Sequence, residues 1–371
     1  MILAGVSISL ILDNNGIIQK SKEARNRYGE AKANEEEQLD QISSWIDKQT
    51  GDDETSINWE ELIKDANSNP NKYKHPDQSS TNADVGIGTD GKPVNMDLWT
   101  YEIINTNEIR LGIREYICVG YSGYDNSKIT ETGEIQGKVP QYIKKDGQDE
   151  FYPVTDMCVT FMNCTNLKIA PEFPSTVTNL GAWDESDNGT GSIGTFYNCT
   201  NLEVAPKIPT KVKNLTNCFS GCTKLRTAPE IPEGVTNMSY TFGGCEKLEA
   251  APMIPSSVTK MQGTFAGCTS ISAVSEIPSN VNNMVETFRN CTSLTTAPVI
   301  PSSVKNMSYT FSGCTKLTGN LIINASPTYY VYCFEDAATA DNANLVVSGS
   351  STILEKIIET KSTNSHITKA Q

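Results

Sequence analysis

The sequence predicts a repeat β-solenoid, preceded by a small β-rich module and an N-terminal α-helix. Three observations lead there. A 23-residue period runs from Val154 onward. Prolines interrupt its apolar stripe at fixed places. The chain, at 371 residues and 37% hydrophobic, is too long and too sparsely apolar for one compact core.

Copies of the repeat begin at Val154, Val177, Val212, Val235, Val258, Val281 and Val304, with 12 extra residues inside 181–194. Their shared pattern is V-x-N-M-x-x-T-F-x-G-C-T-x-L-x-x-A-P-x-I-P-x-S. In the fourth copy the apolar positions are Val235, Met238, Phe242, Cys245, Leu248, Ala251 and Ile254. That spacing alone fits a long amphipathic helix. Pro252 and Pro255 forbid one, since each breaks a continuous helix at about 3 kcal/mol. A short helical turn within 238–245 is the most that remains. The rest must be short parallel strands turning at Pro and Ser, so each copy makes one coil. A single coil cannot bury seven apolar side chains, and only stacked neighbours do so.

Stacking puts Phe161, Phe196, Phe219, Phe242, Phe265, Phe288 and Phe311 in one column. It puts Cys164, Cys199, Cys222, Cys245, Cys268, Cys291 and Cys314 in another, about 4.8 Å apart. A single file of thiols cannot converge tetrahedrally on zinc. Free cysteine behaves as a small apolar residue, so buried, reduced thiols are expected; disulfides between adjacent coils or redox roles are the alternatives. The total of 11 cysteines is odd. Cys218 and Cys222, four apart in one coil, are the pair best placed to depart, and two thiols are expected there too. Asn179, Asn214, Asn237, Asn283 and Asn306 share the third place of their coils and should satisfy a turn by side-chain hydrogen bonding.

The expected organisation is an amphipathic helix over 1–50, a polar linker with a minor helix over 51–83, and a β-rich module and cap over 84–153. Seven repeats follow over 154–326, then a degenerate repeat and C-terminal cap over 327–371. The opening MILAGVSISLIL is shorter than the roughly 20 apolar residues that span a bilayer. Within the linker, INWEELIKDA can make a small apolar face from Ile57, Trp59, Leu62 and Ile63. LWTYEII and EIRLGI alternate around a turn at 105–107, the mark of a hairpin. GIGTDG, 86–91, has dinucleotide-binding spacing, but Lys92-Pro93 and a strand follow where a helix would have to receive the phosphates. An Asp90-Gly91 turn is expected instead. GEIQGKVPQYI should meet the first coil, YYVYCFEDAA should make a degenerate eighth, and TILEKIIETK should close the end as a helix.

A net charge of -14 opposes phosphate-backbone binding, so nucleic acid is not an expected partner. The only histidines, His75 and His366, lie near no candidate nucleophile in sequence, and neither an enzyme, a cofactor nor a metal site is expected. The insertion WDESDNGTGSIG is the one segment the repeat does not require, and such loops on rigid scaffolds are where binding concentrates. Trp183, Asp184, Glu185 and Asp187 are its candidate contact residues, with Trp183 as an aromatic anchor. A calcium loop of the EF-hand kind needs a bidentate Glu where Thr195 stands, so partner contact or a plain loop is favoured over calcium.

The 23-residue period, the TF-x-G-C-T-x-L core and the I-P-x-S-V corner resemble BspA-type leucine-rich repeats over about 154–326. Copy five departs, with Val274-Ser275 in place of Ala-Pro. The NMSYTFSGCTKL wording is similar to surface repeats of mycoplasmas. ILAGVSI and the helix after it resemble the N-terminal segment of type IV prepilin-like proteins of Gram-positive anaerobes over about the first 45 residues. The basic cleavage signal of that family is missing upstream, which implies a truncated export signal. Together the resemblances imply a non-enzymatic extracellular or cell-surface protein, adhesin-like, that binds a protein or glycan of a host or cell surface. The alternative they leave is a minor pilin-like subunit presenting the repeats on a filament, with membrane or pilus association through the N-terminal segment.

Overall fold

The computed structural model describes residues 57–74, 83–105, 108–111, 124, 126–182 and 193–370. The chain divides into two units, Met1–Ile57 and Asn58–Gln371, and all elements below belong to the second. The expected N-terminal helix lies outside the described residues.

Helix α1 (Trp59–Ser68) opens at Asn58, whose side-chain carbonyl accepts the Glu61 N–H at 3.3 Å. Its apolar face, Trp59, Leu62 and Ile63, packs with Val85, Ile87 and Phe151, and the Trp59 ring meets Tyr142 at 5.3 Å. This helix is therefore part of the β module rather than of a linker. The module is a six-stranded sheet in the order β2-β1-β5-β6-β4-β3. Its strands are β1 (Val85–Gly88), β2 (Pro93–Val94), β3 (Tyr101–Asn105), β4 (Glu108–Leu111), β5 (Pro140–Lys144) and β6 (Tyr152–Asp156). GIGTDG is the β1–β2 hairpin: Gly91 has φ 72° and the Asp90 carboxylate accepts the Lys92 N–H at 3.1 Å. A strand thus stands where a phosphate-binding helix would begin.

Strand β6 is also the first segment of the first coil, so the sheet feeds directly into the repeats. It pairs in parallel with β4, and Arg110 on β4 reaches Asp156, which fills the Asn place of that coil, at 3.1 Å. The Thr160 hydroxyl donates to the Leu111 carbonyl at 3.0 Å, Trp99 and Tyr124 pack on Phe161, and the Gly133 carbonyl accepts from Lys168 N–H at 2.8 Å. These contacts cover the first coil.

Successive coils are joined by single-residue parallel bridges, Asp156↔Asn179↔Asn214↔Asn237↔Lys260↔Asn283↔Asn306↔Tyr329. Beyond each bridge alternate N–H groups point to the next coil: Met238 to the carbonyl of Lys260, Tyr240 to Gln262, Phe242 to Thr264 and Gly244 to Ala266, at 2.7–3.0 Å. The N–H groups of Thr241, Gly243 and Cys245 turn back three residues within their own coil. The short helical turn expected at 238–245 is therefore absent: the segment is a run of turns, because helical continuity would spend every N–H inside the coil and leave none for its neighbour. Asn179, Asn214, Asn237, Asn283 and Asn306 each accept the N–H two residues on, at 2.9–3.4 Å. Copy five keeps its register at Lys260↔Asn283 and Ala273↔Thr296 despite Val274-Ser275.

Eight phenylalanines, Phe161 through Phe334, form one stack with centroids 5.4–6.0 Å apart and planes within 19° of parallel. Beside it the ladder cysteines are fully buried, and none of them is in a disulfide. From Cys199 onward each ladder thiol donates to the carbonyl of the phenylalanine one coil back, at 2.9–3.2 Å. Buried Thr241, Thr264, Thr287 and Thr310 make the same kind of bond to Leu215, Met238, Met261 and Met284. Cys218 and Cys333 stand in the threonine column, which explains why they fall outside the thiol ladder. Both are buried thiols.

At the C-terminal end Tyr329 through Ala338 make an eighth coil: Phe311 donates to the carbonyl of Cys333, and Phe334 stacks on Phe311 at 5.7 Å. The step then lengthens. Strands β9 (Gly319–Ile322), β10 (Leu345–Ser348) and β11 (Ile367–Lys369) pair in parallel, and residues 26 apart meet: the Thr318 hydroxyl donates to the Asn344 carbonyl at 3.2 Å and the Ser362 hydroxyl to the Asp336 carboxylate at 2.7 Å. The closing helix is one short piece, α2 (Leu354–Ile358), with Leu354, Ile357 and Ile358 buried.

Phe265→Ala, which removes a ring stacked on both sides, should cost about 3–5 kcal/mol in denaturant unfolding. Cys268→Ser keeps a donor for the Phe242 carbonyl, which sequence reasoning had not supplied, and should cost about 1 kcal/mol. From Cys199 to Cys314 burial pushes the ladder thiols up, to about 12 for Cys291 from an ordinary 9.0. A thiol whose folded value is raised contributes stability that is whole below 9.0 and is lost as pH rises toward the folded value. The urea midpoint should therefore fall steadily from pH 9 to pH 11, and thiols should react with a disulfide reagent only after denaturation; a flat midpoint and native reactivity would mean a wet column.

Candidate binding face

Each coil has two variable positions between its Met and its Thr. The second lies on left-handed backbone in every coil from the third to the eighth: Asn217 (φ 54°), Tyr240 (51°), Gly263 (56°), Glu286 (55°), Tyr309 (57°) and Tyr332 (54°). This conformation lets the alternate N–H groups of one coil face the next. For a residue other than glycine it costs roughly 1–2 kcal/mol. Glycine serves there in the fifth coil, so the tyrosines are not demanded by the fold.

The side chains of this column touch one another. The Tyr240 ring lies over Gly263, where an added Cβ would sit 2.1 Å from the ring. Its hydroxyl donates to Glu286 Oε2 at 2.5 Å, and Gln262 Nε2 donates to that hydroxyl at 3.5 Å. Burial, together with the Glu286 carboxylate, pushes the Tyr240 phenol up to about 12. Arg289 pairs with Glu286 at 2.6 Å and lies over the Tyr309 ring at 5.2 Å; Tyr309 in turn meets Tyr332 at 5.2 Å. Tyr240, Glu286, Arg289, Tyr309 and Tyr332 thus make a continuous polar-aromatic strip over five coils, fixed by ion pairing and ring contact rather than held on mobile loops.

The insertion leaves the second coil at these same two positions. Strands β7 (Gly181–Ala182) and β8 (Ile193–Gly194) pair antiparallel, and Thr195 N–H returns to the Leu180 carbonyl at 2.9 Å, resuming the coil. A Cβ at Gly181 would lie 1.9 Å from the Thr216 carbonyl oxygen, and one at Gly194 2.1 Å from that of Asn217, so the hairpin base rests directly on the third coil. Trp183, Asp184, Glu185 and Asp187 lie outside the described residues. Sequence reasoning missed the tyrosine strip itself. Its signal was present in the twice-written MSYTF of Tyr240 and Tyr309, but identity varies along the column and left-handed φ is invisible in sequence.

Among the described residues no three His, Cys, Asp or Glu side chains converge as a metal site would require, and no helix is long and apolar enough to cross a membrane.

A stack of short coils with one phenylalanine, one cysteine and one leucine per turn defines a leucine-rich repeat fold. Residues 192–318 and 239–359 match the BspA type Leucine rich repeat region. Three crystal structures show likeness to it. A leucine-rich repeat protein from Bacteroides ovatus is 16% identical over 68% of this chain and 78% of its own, with TM-score 0.34. The leucine-rich repeat protein of T. pallidum is 18% identical over 71% and 92%, with TM-score 0.37. A leucine-rich cell surface protein from Faecalibacterium prausnitzii is 19% identical over 68% and 75%, with TM-score 0.37. No curated protein matches the chain.

Gly263→Ala should destabilise by about 1–2 kcal/mol, because it strains a left-handed position and displaces the ring above it. In an absorbance titration the Tyr240 phenol should then fall back toward its ordinary 10.0. Tyr309→Gly, by contrast, should leave thermal stability within about 1 kcal/mol of the parent.

Proposed function

We propose that the protein is a cell-surface or secreted binder whose solenoid presents the tyrosine strip to a protein or glycan partner and performs no chemistry. One observation carries this reading: Tyr240, Tyr309 and Tyr332 are held on left-handed backbone that favours glycine. Strain kept at a surface position points to a use for the side chain. Tyrosine and arginine are the residues on which interface energy concentrates, and here they are immobilised before any partner arrives, which lowers the ordering cost of binding. The hairpin at β7 and β8 issues from the same column, which makes one face of the repeats the place where this chain departs from its own pattern. The leucine-rich repeat region supports a non-catalytic role, and the BspA-type resemblance supports an adhesin-like one.

The ILAGVSI segment supports a second, compatible reading: a minor pilin-like subunit that carries the repeats on a filament. An in-frame prepilin cleavage signal upstream in the gene would support it, and a gene without one would remove it.

For the first reading, arrays of extracellular matrix proteins and of glycans should bind the parent protein, and Tyr240→Ala with Tyr309→Ala should weaken that binding about tenfold or more. Undiminished binding by the double variant would move the site off this strip.

A further inference from the structure

Among the described residues nearly every sulfur atom is shut away from solvent, and one is open. The ten described cysteines are buried. Met157, Met238, Met261, Met284 and Met307 fill the inward column at 0% exposure, and Met96 and Met162 are 1% and 4% exposed. Met253 is 84% exposed. It occupies the variable place of A-P-x-I-P, which faces solvent in the other copies too and is filled there by Glu172, Lys207, Glu230, Glu276 and Val299. The fold therefore does not call for methionine at that place.

We infer that Met253 is a site of reversible oxidation by a neutral two-electron oxidant of the hydrogen peroxide class. In the reaction the thioether lone pair attacks one peroxide oxygen: the O–O bond breaks, an S–O bond forms, sulfur gives up two electrons, and the other oxygen leaves as water with both peroxide protons. The product, methionine sulfoxide, is polar and is returned to the thioether by sulfoxide reductases. Access selects this sulfur, because the oxidant must touch the atom it oxidises, and the inward methionines are reached only when coils open. Burial also holds the ladder thiols protonated, whereas the reactive species is the thiolate. Charge selects the oxidant. Exposed Glu230 and Glu276 hold the same place in the coils on either side, and the chain carries a net charge of -14, which together disfavour an anionic reagent.

Oxidation here changes a surface and leaves the core alone. Val299 and Ile322, 47% and 39% exposed, continue the same column in the sixth and seventh coils, so the sulfoxide replaces one of three exposed apolar side chains on that face with a polar one. None of them belongs to the tyrosine strip, and the inference stands apart from the strip's role.

The test treats the full native chain with hydrogen peroxide and follows each described methionine by peptide mapping, with the free peptide LEAAPMIPSSVTK, residues 248–260, as the reference for an unprotected thioether. Met253 should oxidise within about twofold of that peptide, and Met238, Met261, Met284 and Met307 about tenfold or more slowly. The singly oxidised chain should melt at the parental temperature, and methionine sulfoxide reductases should restore Met253 in the folded protein. Anionic peroxymonosulfate should react faster as salt screens the flanking carboxylates, while the peroxide rate stays level. Inward methionines oxidised as fast as Met253, a singly oxidised chain that melts lower, or a sulfoxide the reductases leave in place would each overturn the inference. A salt-independent peroxymonosulfate rate would overturn the selection of a neutral oxidant.

Discussion

Alternate backbone N–H groups of each coil are spent on the next one, and the rest of the repeat region depends on that division. A 23-residue coil has too few residues per side for ordinary strands, yet its buried backbone must still be paired. The solution is a run of turns in which every other N–H group closes the turn locally and the groups between them reach outward. It places left-handed residues at the second variable position from the third coil to the eighth, and at the position before the ladder cysteine, filled by Gly221, Gly244, Gly267 and Gly313 or by Asn163, Asn198 and Asn290, with Asp336 at the equivalent place before Ala337. A coil made this way has no hydrogen bonds to spare for a helix.

The side-chain columns follow from the ladder. Because neighbours are locked in register, each inward side chain meets its own equivalent, and like must pack on like. Phenylalanine does so by offset stacking. Threonine and cysteine do so by donating to a carbonyl one coil back, which satisfies the buried hydroxyls of Thr241, Thr264, Thr287 and Thr310. Cysteine is the better fit to its column because it is compact, largely apolar and still a weak donor. The substitutions at Cys218 and Cys333 show that the threonine place accepts a thiol too. Burial holds these thiols protonated, which makes them poor nucleophiles and fits a packing role.

In the proposed reading the same division of hydrogen bonds concentrates recognition on one side of the stack. Outward-pointing side chains on left-handed backbone come at the second variable position, and there the chain places Tyr240, Glu286, Tyr309 and Tyr332, and inserts a hairpin. The proposed binding surface and the structural ladder are thus two consequences of one backbone geometry.

The period, the inward columns, the asparagine turns and the hairpins of the β module were all legible in the sequence, since each repeats a residue type at a fixed interval or alternates with period two. The expected helical turn was misread because turns closing three residues back leave the same three- and four-residue apolar spacing as a helix. The 26-residue step was hidden because Phe334 keeps the 23-residue interval from Phe311 before the extra residues enter. The tyrosine strip was hidden for a deeper reason: Asn217, Tyr240, Gly263, Glu286, Tyr309 and Tyr332 share a backbone conformation and not a chemistry. What faces inward can be read from the residues alone, because burial tolerates few residue types. What faces outward together emerges in three dimensions, because solvent tolerates nearly all of them and neighbours on that surface are set by the register between coils.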